Sequence, residues 1–118
     1  MTTEKPIVLY GSPMSLYTGR VRSYLMKNCI PYVEEPHATP NYHNVVLPKA
    51  VGRRGIPTIP TIEFPDGRLV RDGVAILDYL EPLNDNLHSP GTVRQSAVSR
   101  LLDAIGSEGL LRPCIHYR

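Results

Sequence analysis

Between Ile7 and Glu35 the chain passes from an apolar run through a helix-patterned stretch into a second extended run, and a break flanks the middle piece on each side. Ile7-Val8-Leu9-Tyr10 is continuously apolar and begins β-branched, the pattern of a short strand covered on both faces, as in parallel sheets. Gly11-Ser12-Pro13 interrupts it. From about Ser15 onward, Val21, Tyr24, Leu25 and Cys29 recur at helical spacing, while Arg20, Arg22 and Lys27 fall off that stripe. Pro31 ends the helix, and Tyr32-Val33-Glu34-Glu35 reads as a second strand. The connection is close to the shortest that can join two parallel strands, so the start of the chain reads as a βαβ unit.

The next stretch is less regular. Pro36, Pro40 and Pro48 punctuate the residues from His37 to Arg54, which predicts a loop with at most a short, irregular helix. Order returns at Thr61, where Ile62 and Phe64 alternate with Thr61 and Glu63 as in a half-buried strand. Pro65-Asp66-Gly67 is a turn in which proline presets φ and glycine supplies a positive one, and Arg68-Leu69-Val70-Arg71 returns as its hairpin partner. Asp72 is placed to cap a helix with Ile76, Tyr79 and Leu80 on its apolar side. Pro82 to Gly91 reads as a linker, and a last helix begins near Thr92 with Val98, Leu101, Leu102 and Ile105 on one face, ended or interrupted by Gly106 and Gly109. The expectation is an α/β chain with a mixed four-stranded sheet and flanking helices, divided into a domain at 5–82, a linker at 83–91 and the start of an all-helical region at 92–118.

Composition removes several function classes. The net charge is +2 with both signs interspersed, and no Lys/Arg block marks a nucleic-acid footprint. The longest apolar runs hold four residues, far short of the roughly twenty that a membrane helix needs. The first residues do not read as a signal peptide. Cys29 and Cys114 form no Cys-x-x-Cys pair and read as reduced thiols in a cytoplasmic protein. Cys29, on the apolar stripe, reads as a core residue. His37, His43, His88 and His116 lack metal-ligand spacing and read as surface residues, so no metal is expected.

Three segments carry a resemblance. Leu9-Tyr10-Gly11-Ser12-Pro13-Met14-Ser15 followed by Arg20-Val21-Arg22 resembles the first strand, active-site turn and first helix of glutathione transferases. Gly55-Ile56-Pro57-Thr58-Ile59-Pro60-Thr61-Ile62 resembles their segment with a cis-proline, and Leu69 to Leu80 resembles their fourth strand and third helix. The resemblance covers residues 7 to 81. It implies a thioredoxin-like βαβ–ββα fold of the serine type, glutathione as co-substrate, a small electrophile as second substrate, and a larger helical domain beyond the linker. It is also compatible with a homodimer. Since only about one helix of such a domain is present and the tail is still apolar, the sequence reads as a truncated or fragmentary chain.

The resemblance also assigns roles. Ser15 would donate a hydrogen bond to the sulfur of glutathione. A free thiol has a pKa of about 8.5, and a hydroxyl donor together with a helix N-terminus favours its anion. N-capping alone also explains a serine at position 15 and is the preferred reading without the resemblance, which shifts the preference to the sulfur contact; Ser12 is the fallback for that contact. Tyr10, ending a buried strand, and Tyr17, packed in the first helical turn, are weaker candidates. Thr58, Ile59 and Pro60 would bind the tripeptide: a cis Ile59–Pro60 bond would expose the Ile59 backbone for antiparallel pairing, whereas a trans proline opening a strand is the plain alternative. Asp72 would meet the γ-glutamyl amine and the Gly73 amide its carboxylate. Relatives usually carry serine at position 73, so a hydroxyl is lost here. Arg20 could replace a basic residue that many relatives have where this chain has Gly19, and Arg53 and Arg54 either face the glycine carboxylate or are solvated. A non-catalytic binding or scaffold module of the same fold is the rival reading. A glutaredoxin-like redox role is discounted, because Ser12-Pro13-Met14-Ser15 has no thiol to serve as nucleophile in disulfide exchange.

Overall fold

A computed structural model describes residues 5–51 and 58–117. The readings at Arg53, Arg54 and Gly55-Ile56-Pro57 lie outside the described residues. The chain forms two compact units, Met1–Leu83 and Asn84–Arg118.

In the first unit, β1 (Ile7–Gly11) leads through α1 (Leu16–Lys27) to β2 (Tyr32–Pro36), which pairs parallel with it from Ile7↔Tyr32 to Gly11↔Pro36. A hairpin comes later in the chain, with β3 (Thr61–Glu63) antiparallel to β1 and β4 (Leu69–Arg71) antiparallel to β3, giving the strand order β2-β1-β3-β4. The hairpin turns as its residues dictate: Gly67 takes φ +82, its amide donates to Phe64 O, and Asp66 Oδ1 accepts from the Arg68 amide. The helix α3 (Gly73–Leu83) then packs beside α1. This is the thioredoxin-like βαβ–ββα arrangement.

Strand alternation sorts the side chains into two layers. Leu9, Ile62 and Val70 stand in one row across β1, β3 and β4. They form one cluster with Val21 and Leu25 of α1 and Ile76 and Leu80 of α3. Each of these large side chains, once fully buried, contributes about 1.5–3 kcal/mol relative to exposure. Tyr10 belongs to the other layer, where it meets Tyr42 and Val46, with Val8, Leu47, Ile59 and Leu69 packed around them.

The stretch after β2 departs from the sequence expectation. It is a helical run rather than a loop: a π-helical turn at Tyr42–Val46 leads directly into α2 (Leu47–Val51). Pro48 accounts for the irregularity, because it cannot donate an amide and its ring crowds the carbonyl four residues back. The turn before it accordingly closes with a wider bond, Leu47 N–H to Tyr42 O. Helical structure here is held by burial of Tyr42 and Val46 on the sheet, which no local pattern announces. Pro82, expected to open the linker, instead lies inside α3 in its last turn, where the helix has little left to lose.

Cys29 is a second correction. It is exposed rather than in the core. α1 ends at the C-cap Asn28, and Cys29 comes next with φ +52. The Ile30 amide donates to Leu25 O at 3.0 Å and the Cys29 amide to Met26 O at 3.1 Å, the two bonds of a Schellman cap. Ile30, not Cys29, turns back onto the core cluster. The left-handed position normally held by glycine is thus held by cysteine.

In the second unit, Thr92 caps α4 (Val93–Ala104), accepting from the Gln95 amide at 3.2 Å while its hydroxyl reaches Gln95 Oε1. Another π-turn, Ile105–Gly109, contains both expected glycines and leads to α5 (Leu111–His116). Val98, Leu101, Leu102 and Ile105 are all at least half exposed, so the apolar face read from the sequence has no cover among the described residues. No described helix is long and apolar enough to cross a membrane.

Cys29→Gly is expected to stabilise the chain by about 1 kcal/mol, since a non-glycine residue in the left-handed region costs about 1–2 kcal/mol and glycine's greater unfolded-state freedom offsets part of the gain. Urea denaturation of the two proteins checks this through a higher midpoint at unchanged slope.

Candidate functional site

Three chain reversals meet at one end of the sheet. Tyr10, Thr61 and Arg71 are directly paired across β1, β3 and β4. The residues that come after β1, before β3 and after β4 therefore emerge together: Ser12–Ser15, Thr58–Pro60 and Asp72–Gly73. The Asp72 amide donates to Pro60 O at 3.2 Å and ties the second group to the third. A Cβ placed on Gly73 would stand 3.8 Å from Tyr17 O and 4.0 Å from Arg20 Cδ, which puts the start of α3 against the first turn of α1.

The β1 reversal depends on Gly11. A Cβ at that position would fall 2.3 Å from Thr18 Cγ2 and 2.6 Å from Thr18 Oγ1, so only glycine lets α1 close this tightly on the strand. The sequence shows Gly11 as a breaker; the tertiary contact shows it as a packing requirement. Ser15 is the N-cap of α1, and its Oγ accepts from the Thr18 amide at 3.2 Å. That bond uses a lone pair, and the Ser15 hydroxyl hydrogen has no acceptor among the described residues. Ser12 Oγ accepts from the Met14 amide at 3.3 Å, and Ser12 O accepts from the Ser15 amide. Of the weaker candidates, Tyr10 is buried and its hydroxyl donates to Glu63 Oε2 at 3.0 Å. Burial, reinforced by the hydrogen bond to Glu63, pushes its pKa up to about 12, so it is a poor source of a proton or an anion. Tyr17 is half-buried.

Before β3, the Ile59–Pro60 peptide bond is cis. Neither the amide nor the carbonyl of Ile59 has a hydrogen-bond partner among the described residues. The segment is anchored from behind by Tyr42, whose hydroxyl donates to Thr58 O at 3.3 Å and lies 3.1 Å from Thr61 Oγ1. Asp72 adopts φ +78, an uncommon conformation for a residue with a side chain that costs on the order of 1–3 kcal/mol. Its Oδ1 accepts from the amides of Val74 and Ala75, at 2.7 and 3.4 Å, and caps α3. Two helix N-termini, each capped by a side-chain oxygen, thus lie side by side, and their amides favour negative charge.

Sequence reasoning missed two parts of this arrangement. Tyr42 gave no signal, since its partners are 16 and 19 positions away. The sequence placed Arg22 only off the apolar stripe of the helix and Glu34 only in the second strand. They form a forked pair, Nε to Oε2 at 2.8 Å and Nη2 to Oε1 at 2.6 Å, and Nη2 also reaches Ser12 O at 3.5 Å. His37 is another difference: it is half-buried, and its backbone amide and Nδ1 each lie 3.0 Å from Gly11 O. Among the described residues no group of three His, Cys, Asp or Glu side chains is arranged to hold a metal ion.

The family model for the glutathione S-transferase N-terminal domain matches residues 9–87, more than half of the chain. The chain belongs to this family. Members and relatives among solved structures share its fold. A glutathione S-transferase from Rhodospirillum rubrum F11 superimposes with a TM-score of 0.74 at 23% identity, covering 90% of this chain and 47% of its own. A glutathione transferase homologue from Sulfitobacter gives 0.65 at 20% identity, covering 86% and 49%. A glutathione S-transferase of Ceriporiopsis subvermispora gives 0.65 at 22% identity, covering 91% and 48%. The chain spans about half the length of these transferases. No match was found among curated proteins.

The Arg22 guanidinium holds the Glu34 carboxyl below its ordinary pKa, mainly through the forked hydrogen bond. The depressed value means that the pair stabilises the fold above the unfolded-state pKa of Glu34, and that this contribution is lost as pH falls through the folded value. Glu34→Gln is expected to cost about 1–2 kcal/mol near neutrality and to flatten the acid limb of the stability curve. Urea midpoints measured from pH 7 down to about 3 test it.

Proposed function

We propose that the first unit binds glutathione and stabilises its thiolate for attack on an electrophilic carbon. The observation that carries this reading is the convergence of Ser15, Thr58–Pro60 and Asp72–Gly73 at one sheet end, with the Ser15 hydroxyl hydrogen free of any described acceptor. The Sulfitobacter homologue and the Ceriporiopsis transferase were crystallised with glutathione, which supports the same ligand class here. In this reading Ser15 acts in both of its possible roles. It accepts from the helix amide and donates to the sulfur, while the N-terminus of α1 adds positive potential. The backbone of Ile59, unpaired among the described residues, aligns the extended tripeptide as an added strand, beside Thr58 and Pro60. Asp72 receives the γ-glutamyl amine on the oxygen that does not cap α3, and the Gly73 amide receives its carboxylate. The thiolate then attacks a small electrophile, with loss of its leaving group. A cytoplasmic homodimer is the form proposed for the working enzyme.

A second reading, a binding or scaffold module without catalysis, is favoured by Gly73, which lacks the hydroxyl usual in relatives. Titration calorimetry of the full chain with glutathione separates the two. Saturable binding supports the first reading, and no heat from folded protein supports the second.

Ser15→Ala is expected to raise the pKa of the bound thiol by about 1–2 units, the equivalent of one hydrogen bond to a charged group. Loss of the cap should also cost about 1 kcal/mol of stability. Ultraviolet thiolate absorbance titrated against pH reads the first effect. An unshifted curve removes Ser15 from the mechanism.

Gly73→Ser has room, since the nearest atom to its Cβ is Tyr17 O at 3.8 Å. The restored hydroxyl should tighten glutathione binding by about tenfold or more, as a hydrogen bond to a carboxylate does. Calorimetric dissociation constants for the two proteins check it.

A further inference from the structure

The face of the sheet that carries Tyr10 is incompletely covered. Val8, Glu63 and Leu69 stand in one row across β1, β3 and β4, one step from the row that Tyr42 and Val46 pack against. Over this row lies a cavity of about 610 Å³, within the range of small-molecule sites. Val8, Val45, Val46, Phe64 and Leu69 supply apolar walls. Pro6 at the start of β1 and Gly67 in the hairpin turn also line it. Tyr10 and Asn41 line it as well, so it runs along β1 from Pro6 to Tyr10, and Ser15, Ile59 and Asp72 do not border it.

Besides Tyr10 and Asn41, two kinds of charged group line this space. Glu63 is a half-buried carboxylate that stands between Val8 and Leu69 in this row. Its Oε2 accepts from the Tyr10 hydroxyl, and Oε1 has no partner among the described residues. Lys5 and Lys49 also line the cavity, and both are exposed. Neither ammonium has a carboxylate partner among the described residues. The arrangement offers an acceptor within the sheet face, apolar walls, and two cations able to meet an anion.

We propose that this cavity is a second ligand site, for an amphipathic carboxylic acid whose apolar body carries a hydrogen-bond donor at the end remote from its carboxylate. The donor meets Glu63 Oε1, the body replaces water along Val8, Val46 and Leu69, and the carboxylate meets Lys5 and Lys49. The proposal is independent of the glutathione reading, since the two sets of residues are disjoint.

The test uses the full chain, labelled with nitrogen-15, titrated with 3-(4-hydroxyphenyl)propionate. Saturating amide shifts are expected at Val8, Val46, Phe64 and Leu69, and they should persist in the presence of glutathione. 3-Phenylpropionate, which lacks the donor, and the primary amide of the probe, which lacks the charge, should each bind about tenfold more weakly or worse. Lys5→Gln with Lys49→Gln should erase the advantage of acid over amide while the spectrum stays that of the folded chain. Val45→Trp, at a position already 45% exposed, should fill the cavity and abolish the shifts. Shifts confined to Arg94–Leu102, where the exposed apolar face of α4 lies, would overturn the proposal. So would absence of binding to the folded chain, or affinities indifferent to the donor, the charge and the two lysines.

Discussion

The backbone pairing of β3 between β1 and β4 is the constraint on which the candidate site depends. Because Tyr10, Thr61 and Arg71 lie opposite one another, the ends of three separate segments are delivered to one place. A register slip of two residues would keep every side chain on its face and still displace Ile59 from Ser15 and Asp72 by about two residue lengths along the strand, some 6–7 Å. The register is fixed by the row Leu9–Ile62–Val70, whose members pack against α1 and α3. Core packing thereby sets the geometry of groups that are not themselves in the core.

Helix starts translate that geometry into electrostatics. α1 can begin where it does only because Gly11 admits Thr18 to within touching distance of β1. α3 begins where Asp72 accepts a left-handed backbone and caps the helix with its own carboxylate. Each capping oxygen satisfies helix amides and so orients its residue. In the proposed function, capping and glutathione binding at Ser15 and Asp72 are therefore two uses of one atom set, and they do not compete.

Legibility in the sequence tracked the range of the interactions. The strands, α1, α3, the hairpin turn and the caps at Ser15, Asp72 and Thr92 rest on contacts within a few residues, and the composition of each segment displays them. The candidate residues Ser15, Thr58, Ile59, Pro60, Asp72 and Gly73 were legible through the resemblance of three short motifs to one family. The helical run around Tyr42 was not, because three prolines near it point locally to loop while burial on the sheet overrides them. Cys29 was misplaced by one step in the helical count: the Schellman cap reverses the chain there and sends Ile30 inward in its stead.

By itself, then, the sequence determined the order of elements, the two periodicities that sort core from surface, and the residue types available at each chain reversal, since all of these are local properties of a polypeptide. Tertiary structure alone decided that Arg22 grips Glu34, that Tyr42 braces Thr58, and that Glu63 faces a cavity lined by two lysines. Those partners are separated by 12 positions or more, and only the closing of the sheet brings them within hydrogen-bond or van der Waals reach.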